Sequence, residues 1–525
     1  MVGESVPVLV VGAGLAGLSS AMFLARRGVG VLLVERHTGT SLFPRAVGQN
    51  QRTMELLGYG GIAADIPTIT PKTPGLRVRM AATLAGPAFH EEPPETVAEN
   101  LSTLSPAGVG TLGQDKLEPL LRTRAAEFGA ELRFGTELVS FTQDDDGVTA
   151  LLRGPERTSR VRADYLVAAD GNRSGVRAQL GIDRHGSESL GHSVSIIFDA
   201  DLGDLLDRER RALHVLHNER IHGYGIFVTV DHAIDRHVFS IGYDPAAGQS
   251  PADFTTERCT ELIRLITESP ELEPEILAVR PWEMAATVAD RFRVGRVLLA
   301  GDAAKVTPPS GGFGGNTAIG DAYDLAWKLA AVLDSSAGPE LLDTYDDERR
   351  PIAERVVAEA LRLVAGRGPG AQPDADGIPD RQRAAELTLG FRYRSSAVLI
   401  DDDDRADAED PYRPSGRPGF RAPHVRLHRN GEKLSTIDLF GRDFVLLSGA
   451  DGGFWSGIAE RRGLRTHTIG RELTDTDGEF RARYGIGPSG ASLVRPDGIV
   501  AWRTVDAPSD PERALHDALG LILAR

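Results

Sequence analysis

Three glycines near the start of the chain have the spacing of a dinucleotide-binding turn. Gly12, Gly14 and Gly17 form GxGxxG directly after the β-branched run Val6–Val11. The first glycine permits a tight turn, the second lets a pyrophosphate approach the backbone, and the third lets the next helix pack closely on the strand. The N-terminus of that helix offers N–H groups to phosphate. Glu35 ends a second β-branched run, where its carboxylate can accept hydrogen bonds from a ribose. The pattern predicts a dinucleotide site.

The same stretch permits other interpretations. NAD and FAD share this fingerprint, and a glycine-rich turn can also serve packing alone. Val6–Ala25 is apolar enough for a signal peptide or a membrane helix, but only Glu4 precedes it where a signal carries positive charge, and three glycines interrupt it. A second strand-like run, Val29–Val34, follows a short turn. This order favours a strand, turn, helix and strand, and it leaves the choice between NAD and FAD open.

Two further motifs occur along the chain. One strand-like run leads into Asp170-Gly171 and another into Gly301-Asp302, which is followed by a loop, Pro308–Asn316, and a predicted helix, Thr317–Leu333. GxGxxG, DG and GD in this order resemble the class A FAD-dependent aromatic hydroxylases, over roughly residues 5 to 400. The resemblance implies that FAD is the bound cofactor and that NADPH or NADH supplies the electrons.

The resemblance also implies a role for each matching position. Residues 12–17 would hold the FAD pyrophosphate, Glu35 the adenosine ribose and Asp302 the ribityl chain. Asp170 would lie between the pyrophosphate and the path of NAD(P)H, with a helix cap as its alternative role. Arg36 would lie along the adenine and Val139 would border it, while Arg45 and Gln114 would touch the flavin or its ribityl-phosphate arm, with surface solvation as their alternative. The predicted cofactor-binding residues are Gly12, Ala13, Gly14, Leu15, Ala16, Gly17, Glu35, Arg36, Arg45, Gln114, Val139, Asp170, Asp302, Pro309, Gly314, Gly315 and Asn316.

The glycine-rich loop is also expected near the flavin ring on chemical grounds. A reduced flavin carries negative charge around N1 and the C2 carbonyl, and backbone N–H groups at a helix start can stabilise that charge without a cationic side chain. Residues 311–316 can supply those groups. Pro308 and Pro309 stiffen the loop where the flavin C4a must meet oxygen.

A flavin reduced by NAD(P)H can bind O2 as a C4a-hydroperoxide and transfer the distal oxygen to an activated aromatic ring. A phenol is most reactive as its anion, so the pocket should hold a base or a cation that lowers the pKa of the phenol. The catalytic candidates are Arg367, at the end of an amphipathic helix, and His214 and Tyr224, in a β-rich middle region that resembles the family's substrate sheet. The alternative for each is an ordinary surface or core position.

These elements predict an α/β protein. It has a Rossmann-like FAD-binding domain, an inserted antiparallel β-sheet substrate domain and a C-terminal domain that resembles thioredoxin. The predicted boundaries are 1–180 and 286–400 for the two parts of the FAD-binding domain, 181–285 for the substrate sheet and 420–525 for the C-terminal domain. The C-terminal domain has no CxxC, so we expect a structural role there or a homo-oligomer contact.

Composition excludes several classes of protein. The chain of 525 residues has 59 Lys+Arg against 75 Asp+Glu, a net charge of -16, which argues against a nucleic-acid or anionic-membrane partner. Cys259 is the single cysteine, so a disulfide framework is excluded and a reducing cytoplasm is expected. The acidic run Asp401–Asp404 lacks the spacing of a calcium loop, and we predict no metal site.

The sequence therefore predicts an FAD-dependent NAD(P)H aromatic hydroxylase that uses O2 on a phenolic polycyclic aromatic polyketide in antibiotic biosynthesis. Lys305, where many family members have histidine, and the segment Gly390–Ser396 resemble hydroxylases of aklavinone-type substrates. The alternatives are Baeyer–Villiger or another flavin oxygenation, and a noncatalytic FAD-fold protein that binds a ligand. Halogenation is disfavoured because the tryptophans form no WxWxIP motif.

Overall fold

Three main sheets organise the protein in this computed structural model. The structure describes residues 4–42, 46, 48–69, 77–91, 102–206, 212–221, 223–231, 233–366, 378, 380–401 and 405–525. Arg45 and Arg367, two of the predicted site residues, lie outside these ranges, as does most of the acidic run at 401–404.

The first sheet is mainly parallel and lies in the predicted FAD-binding domain. Its central strand, Glu4–Val11, has Val8, Leu9 and Val10 fully buried, as expected for a strand covered on both faces. It pairs in parallel with Val31–Glu35 and with Thr158–Ala168. The strand order is Arg293–Val294, Val297–Leu299, Thr158–Ala168, Glu4–Val11, Val31–Glu35 and Glu131–Phe134, and a hairpin, Glu137–Asp144 with Gly147–Arg153, pairs with Thr158–Ala168. The parallel strands end at one edge, where a ligand crevice forms in such sheets.

Helices cover this sheet. Leu15–Arg26 is buried along almost its whole length and packs against Gln114–Glu127 and Phe313–Leu333. The last of these begins at Phe313, four residues before its predicted start, because Gly311 and Gly312 already end the loop with positive φ. The other helices of this part are Gln51–Tyr59, Gly175–Gln179, Asp343–Ala365 and Asp380–Leu389, with short 3-10 turns at Ala63–Asp65, Gly301–Ala303, Ser310–Gly312 and Pro339–Leu342.

The second sheet is mostly antiparallel and corresponds to the predicted substrate sheet. The strand order is Lys305–Val306, Glu275–Ala289, Arg184–Asp199, Arg236–Tyr243, Gly225–Asp231, Ala212–Leu216, Arg77–Ala81 and Ala88–Glu91. Both edges of the sheet use residues outside the predicted range of 181–285. Helix Thr256–Thr267 covers one face, where its apolar side chains pack with Phe227 and Phe239. The other face is left to border a cavity.

The C-terminal part has the predicted thioredoxin-like arrangement. Val445–Ser448 and Arg465–Thr468 form a parallel pair around helix Phe454–Glu460, and an antiparallel hairpin continues the sheet before the last helix, Pro511–Ile522. The four-stranded sheet has the order Arg465–Thr468, Val445–Ser448, Ala491–Val494 and Val500–Thr504. A small sheet, Glu432–Ser435, Arg426–Arg429 and Thr474–Asp475, and helix Phe480–Tyr484 complete the part, and Thr68–Ile69 pairs with Val109–Gly110 elsewhere.

None of the helices within the described ranges has the length and apolar character needed to span a membrane. The apolar stretch at 6–25, which alone could suggest such a helix, divides into the central strand and the first helix.

Candidate active site

The three glycines of the first turn have different surroundings. Gly12 has a φ of 101°, and a Cβ on it would overlap the carbonyl oxygen of Ala169. A Cβ on Gly17 would overlap the carbonyl oxygen of Gly12. The space beside Gly14 is open, since its Cβ would meet no atom closer than 3.9 Å, and Gly14 borders a large cavity. Two glycines thus serve close packing, and the third leaves bare backbone beside the cavity.

The first helix begins directly behind this bare backbone. Gly14 is its N-cap in an extended conformation, and no side chain among the described residues caps it. Uncapped N–H groups at a helix start are donors that favour an anion. Glu35 lies beside them at the end of the second strand, where its Oε2 accepts a hydrogen bond from the N–H of Ala13 at 2.8 Å. Glu35 and Arg36 both border the cavity.

The DG motif contributes a carboxylate, Asp170, that can accept a further hydrogen bond. Asp170 Oδ2 accepts a hydrogen bond from the N–H of Val176 at 3.1 Å, whereas Oδ1 is buried without a hydrogen-bond partner in the described part of the chain. The helix-cap role and a ligand role are therefore compatible. Arg177 Nη1 donates to the carbonyl of Ala303 at 2.8 Å, which ties the DG loop to the GD loop.

The GD motif and the glycine-rich loop form the opposite wall. Asp302 lies in a short turn, exposed to the cavity. Gly311 and Gly312 have φ of 79° and 64°, and helix Phe313–Leu333 begins after them without a side-chain cap among the described residues. Asn316 Oδ1 accepts a hydrogen bond from the N–H of Asn50 at 2.9 Å, which joins this helix start to the helix Gln51–Tyr59. Gly314, Gly315 and Asn316, in the first turn of this helix, border the cavity.

Lys305 supports the GD loop from behind rather than from within the cavity. Its Nζ lies 2.5 Å from Asp321 Oδ2, which also accepts a hydrogen bond from the N–H of Gly301 at 3.1 Å. Arg349 Nε donates to Asp321 Oδ1 at 2.9 Å. Burial lowers the pKa of Lys305 below the usual lysine range, against the opposing effect of Asp321. Asp321 and Arg349 were not among the predicted residues, because nothing in their local sequence indicates that they meet.

One continuous cavity of about 1780 Å³ joins this cradle to one face of the second, mostly antiparallel sheet. The predicted residues that border it are Gly12, Gly14, Leu15, Ala16, Glu35, Arg36, Gln114, Val139, Asp170, Asp302, Pro309, Gly314, Gly315, Asn316, His214 and Tyr224. Ala13 and Gly17 are not in its lining, since the first donates to Glu35 and the second packs against Gly12. The structure therefore brings most of the predicted site together.

The two catalytic candidates on the antiparallel sheet have different environments. Tyr224 is half-buried, with its ring centroid 5.9 Å from that of His217. His214 is buried, and its ring packs edge-on against Phe227 at 5.7 Å. Tyr224 is therefore the better placed of the two to meet a ligand in the cavity.

A buried acidic cluster lies away from the cavity. Asp324, Glu348 and Asp497 have oxygens close enough together to suggest a metal ion, but two cations already occupy that position. Lys328 Nζ lies 2.8 Å from Asp324 and 2.7 Å from Glu348, and Arg495 Nη1 lies 2.6 Å from Glu348. The cluster is an ion-pair network between the FAD-binding part and the C-terminal part.

The cradle fits FAD. Within the described part of the chain, it offers bare backbone at Gly14, two helix starts without a side-chain cap, and an oxygen of Asp170 without a hydrogen-bond partner, all of which suit a dinucleotide pyrophosphate and a charged flavin ring. The fold and the cradle together define a flavoprotein whose cofactor site opens into a second chamber under a β-sheet.

Comparison with known proteins agrees. The family described as FAD binding domain matches residues 5–360, and the family described as aromatic-ring hydroxylase, C-terminal, matches residues 415–525. Aklavinone 12-hydroxylase RdmE of Streptomyces purpurascens is 50% identical over 543 residues, which cover 99% of both chains. Tetracenomycin A2 monooxygenase-dioxygenase of Streptomyces glaucescens is 41% identical over 556 residues, covering 99% of this chain and 97% of the relative.

A solved structure is similar over its whole length. The crystal structure of a ternary complex of aklavinone-11 hydroxylase with FAD and aklavinone has a TM-score of 0.92 and 49% sequence identity, and the match covers 100% of both chains. The chain belongs to the FAD-dependent aromatic-ring hydroxylases, and it is a monooxygenase of that family. The predicted family, fold class and FAD cofactor are confirmed.

Proposed function

We propose that this monooxygenase uses NAD(P)H and O2 to hydroxylate a phenolic polycyclic aromatic polyketide of the aklavinone kind. The observation that supports this most is the cavity of about 1780 Å³, which runs from the FAD cradle to the substrate sheet. One small-molecule pocket usually measures about 300–1,000 Å³. The cavity therefore has room for FAD and a fused-ring substrate together. The named activities of the similar hydroxylases, on aklavinone and tetracenomycin A2, support this class of substrate.

FAD, when bound, takes two electrons from NAD(P)H and passes one atom of O2 to the substrate while the other leaves as water. The residues of the chain have three tasks around it. Residues 12–17 and Glu35 hold the nucleotide end, and Asp302 holds the ribityl chain. The N–H groups at the start of helix Phe313–Leu333 stabilise negative charge on the ring system. The substrate sheet covers the opposite side and excludes water from the reacting atoms.

Substrate activation is assigned to a hydrogen-bond donor or cation near the phenolic oxygen. Tyr224 borders the cavity and can donate its hydroxyl hydrogen to a phenolate. A hydrogen bond to a charged group contributes about 1.5–3 kcal/mol, so Tyr224→Phe should lower the hydroxylation rate about 10- to 150-fold. FAD affinity should stay unchanged. Arg367 as a cation and His214 as a base stay predictions, and equal pH–rate profiles for wild type and Arg367→Ala would remove Arg367 from consideration.

The test of the proposed function is a turnover assay with aklavinone. Purified holoenzyme is incubated with NADPH or NADH and isotopically labelled dioxygen, and the product is analysed by mass spectrometry. We expect NAD(P)H consumption stimulated by aklavinone and one labelled oxygen atom in the product. Comparing kcat/KM for the two nicotinamides gives the preference between them.

The same assay separates the alternatives. Hydroxylation adds one exchangeable hydrogen, which is counted after exchange into deuterated solvent, whereas Baeyer–Villiger insertion into a ring adds none. A noncatalytic binding protein would perturb the flavin spectrum with aklavinone but would not oxidise NAD(P)H. Absence of labelled product from aklavinone and from related phenolic polycycles would overturn the proposal.

We also place the enzyme in a reducing cytoplasm. Cys259 is a buried free thiol, and burial raises its pKa to about 11, so it stays an unreactive thiol. The redox chemistry is then left to FAD. A homo-oligomer contact through the C-terminal domain stays a prediction.

A further inference from the structure

A row of hydrogen-bonded side chains crosses the face of the substrate sheet that borders the cavity. Trp282, Ser195 and Ser240 lie on three neighbouring strands of that sheet. Trp282 Nε1 donates to Ser195 Oγ at 3.0 Å, and Ser195 Oγ lies 2.8 Å from Ser240 Oγ. All three side chains are half-buried and border the cavity. We call these three residues the polar row.

The polar row leaves one hydrogen for a ligand. The indole N–H can only donate, and each serine hydroxyl carries one hydrogen. Of these three hydrogens, the two bonds inside the row use two, whichever serine donates to the other. Neither serine side chain makes another hydrogen bond within the described ranges. A hydroxyl hydrogen therefore remains beside the cavity, where an acceptor on a ligand would satisfy it.

Most side chains next to the polar row are apolar, and Arg280, which pairs with Ser195 across the strands and borders the cavity, places a cation beside it. Ile197, Ile226, Val228 and Val238 border the same cavity on the strands that carry or adjoin the two serines. Such a surface suits flat aromatic rings, and a few polar groups in an apolar pocket fix the orientation of the ligand.

The polar row is distant from the flavin loop. Thr287 pairs with Val306, directly before the loop that holds the flavin. Trp282 lies on the same strand, five residues earlier, which corresponds to about 16 Å along the strand. A substrate with its reacting carbon at the flavin would reach the polar row only with the far end of its ring system.

We propose that the polar row is a subsite for a carbonyl oxygen at the end of the polycycle remote from the reacting carbon. By holding that oxygen, it sets the position of the rings against the flavin and thus the carbon that is hydroxylated. The inference rests on the proposed function, since it concerns the substrate of the same cavity. The three residues are positioning residues with no part in proton or electron transfer.

The first test uses serine variants and aklavinone. Ser240→Ala and Ser195→Ala remove the terminal donor or its connection to Trp282. Ser193→Ala is the matched control, because Ser193 borders the cavity on the same strand as Ser195 and makes no side-chain hydrogen bond within the described ranges. Binding is followed by the change in flavin absorbance, and turnover by NADPH consumption and product analysis.

The expected result is a change in binding and product position. A neutral hydrogen bond contributes about 0.5–1.5 kcal/mol, so Kd and KM for aklavinone should rise about 2- to 12-fold in either variant. Hydroxylated product per NADPH should fall, and more than one product isomer should appear. The double variant should bind no more weakly than either single variant, because the row acts as one unit. Ser193→Ala should match wild type.

The second test identifies the oxygen that is recognised. A tetracyclic phenol with a ketone on the ring farthest from the phenol, and the same compound without that ketone, are titrated into the wild-type holoenzyme and into Ser240→Ala. The variant should weaken binding of the ketone and leave binding of the compound without it unchanged. Equal effects on both ligands would overturn the assignment of a carbonyl subsite.

The two proposals fail separately. A wild-type enzyme that yields no oxygenated product defeats the proposed function. A wild-type enzyme that hydroxylates aklavinone, while Ser240→Ala and Ser195→Ala keep the wild-type Kd, KM and product, overturns the subsite alone. Thermal unfolding of each variant identifies loss of fold, and Trp282→Phe, which keeps the ring and removes the donor, tests the row independently of the serines.

Discussion

Cofactor binding and close packing, the two roles assigned to glycines of the first turn, can be separated by adding a methyl group at Gly14 or at Gly17. Gly14→Ala places a Cβ where no protein atom lies closer than 3.9 Å, whereas Gly17→Ala places one against the carbonyl oxygen of Gly12. The first change should therefore affect the cofactor and the second the protein. Comparing the two variants tests whether the backbone N–H groups beside Gly14 bind the pyrophosphate.

The change at residue 14 should appear in the Kd for FAD, and the change at residue 17 in the thermal stability. A methyl group at residue 14 would hold the phosphate away from the backbone N–H groups, and each hydrogen bond to a charged group contributes about 1.5–3 kcal/mol. Loss of one such bond raises the Kd for FAD about 10- to 150-fold. At residue 17 the first helix must move away from the strand, and overpacking of this kind costs about 1–3 kcal/mol, which lowers the Tm of a 525-residue chain by about 1–3 °C.

The assay uses apoprotein so that stability and binding are measured independently. Flavin is removed, Tm is measured by differential scanning fluorimetry, and FAD is titrated back while its fluorescence is followed. We expect Gly14→Ala to keep the Tm of the wild-type apoprotein and to bind FAD weakly. An unchanged Kd in Gly14→Ala, or an equal fall in apoprotein Tm for both variants, would refute the reasoning and favour a turn that serves packing alone.

Three further predictions concern single side chains. Asp302→Ala should purify with little FAD, because the variant lacks the carboxylate proposed to bind the ribityl chain, and full flavin absorbance in that variant would contradict the assignment. Lys328→Met should lower the free energy of unfolding by about 3–5 kcal/mol in urea, because the carboxylate of Glu348 loses a buried partner, and a change below about 1 kcal/mol would contradict this prediction. Burial raises the pKa of Asp324 to about 7, above its unfolded value of 3.8, so its contribution to stability is present at low pH and is lost as pH rises from about 4 to about 7. Asp324→Asn should therefore gain Tm relative to wild type between pH 5 and pH 8, and a constant difference would exclude this titration.

The cofactor site could be predicted because its signals are local. Each motif is a strand followed by a glycine turn, and the chemistry of that turn depends on residues within six positions of one another. The order of Gly12, Asp170 and Gly301 then indicated one crevice, and the parallel pairing of their strands brings them to one edge of the sheet.

The substrate end could not be predicted to the same depth. Alternation along the strands places Ser195 and Ser240 opposite to their buried neighbours, but it does not say which strands are adjacent. The bonds of Ser195 to Ser240 and Trp282 depend on cross-strand register. For the same reason the strands Arg77–Ala81 and Ala88–Glu91 lie in a sheet whose other strands come more than ninety residues later, and local sequence gives no sign of this.

The C-terminal domain, which has no thiol, contributes to the FAD site through buried charges. Arg421 Nε donates to Glu55 at 2.9 Å, and Arg495 pairs with Glu348. Burial alone would raise the pKa of Glu55, but Arg421 holds it below the usual range. Glu55 lies on helix Gln51–Tyr59, whose N-cap residue donates its N–H to Asn316 at the start of the flavin-loop helix. Because removal of one partner leaves a buried charge uncompensated, the FAD-binding part and the C-terminal part must fold against each other. A residue of the C-terminal domain, Arg421, thus helps to hold in place the helix that contacts the flavin loop.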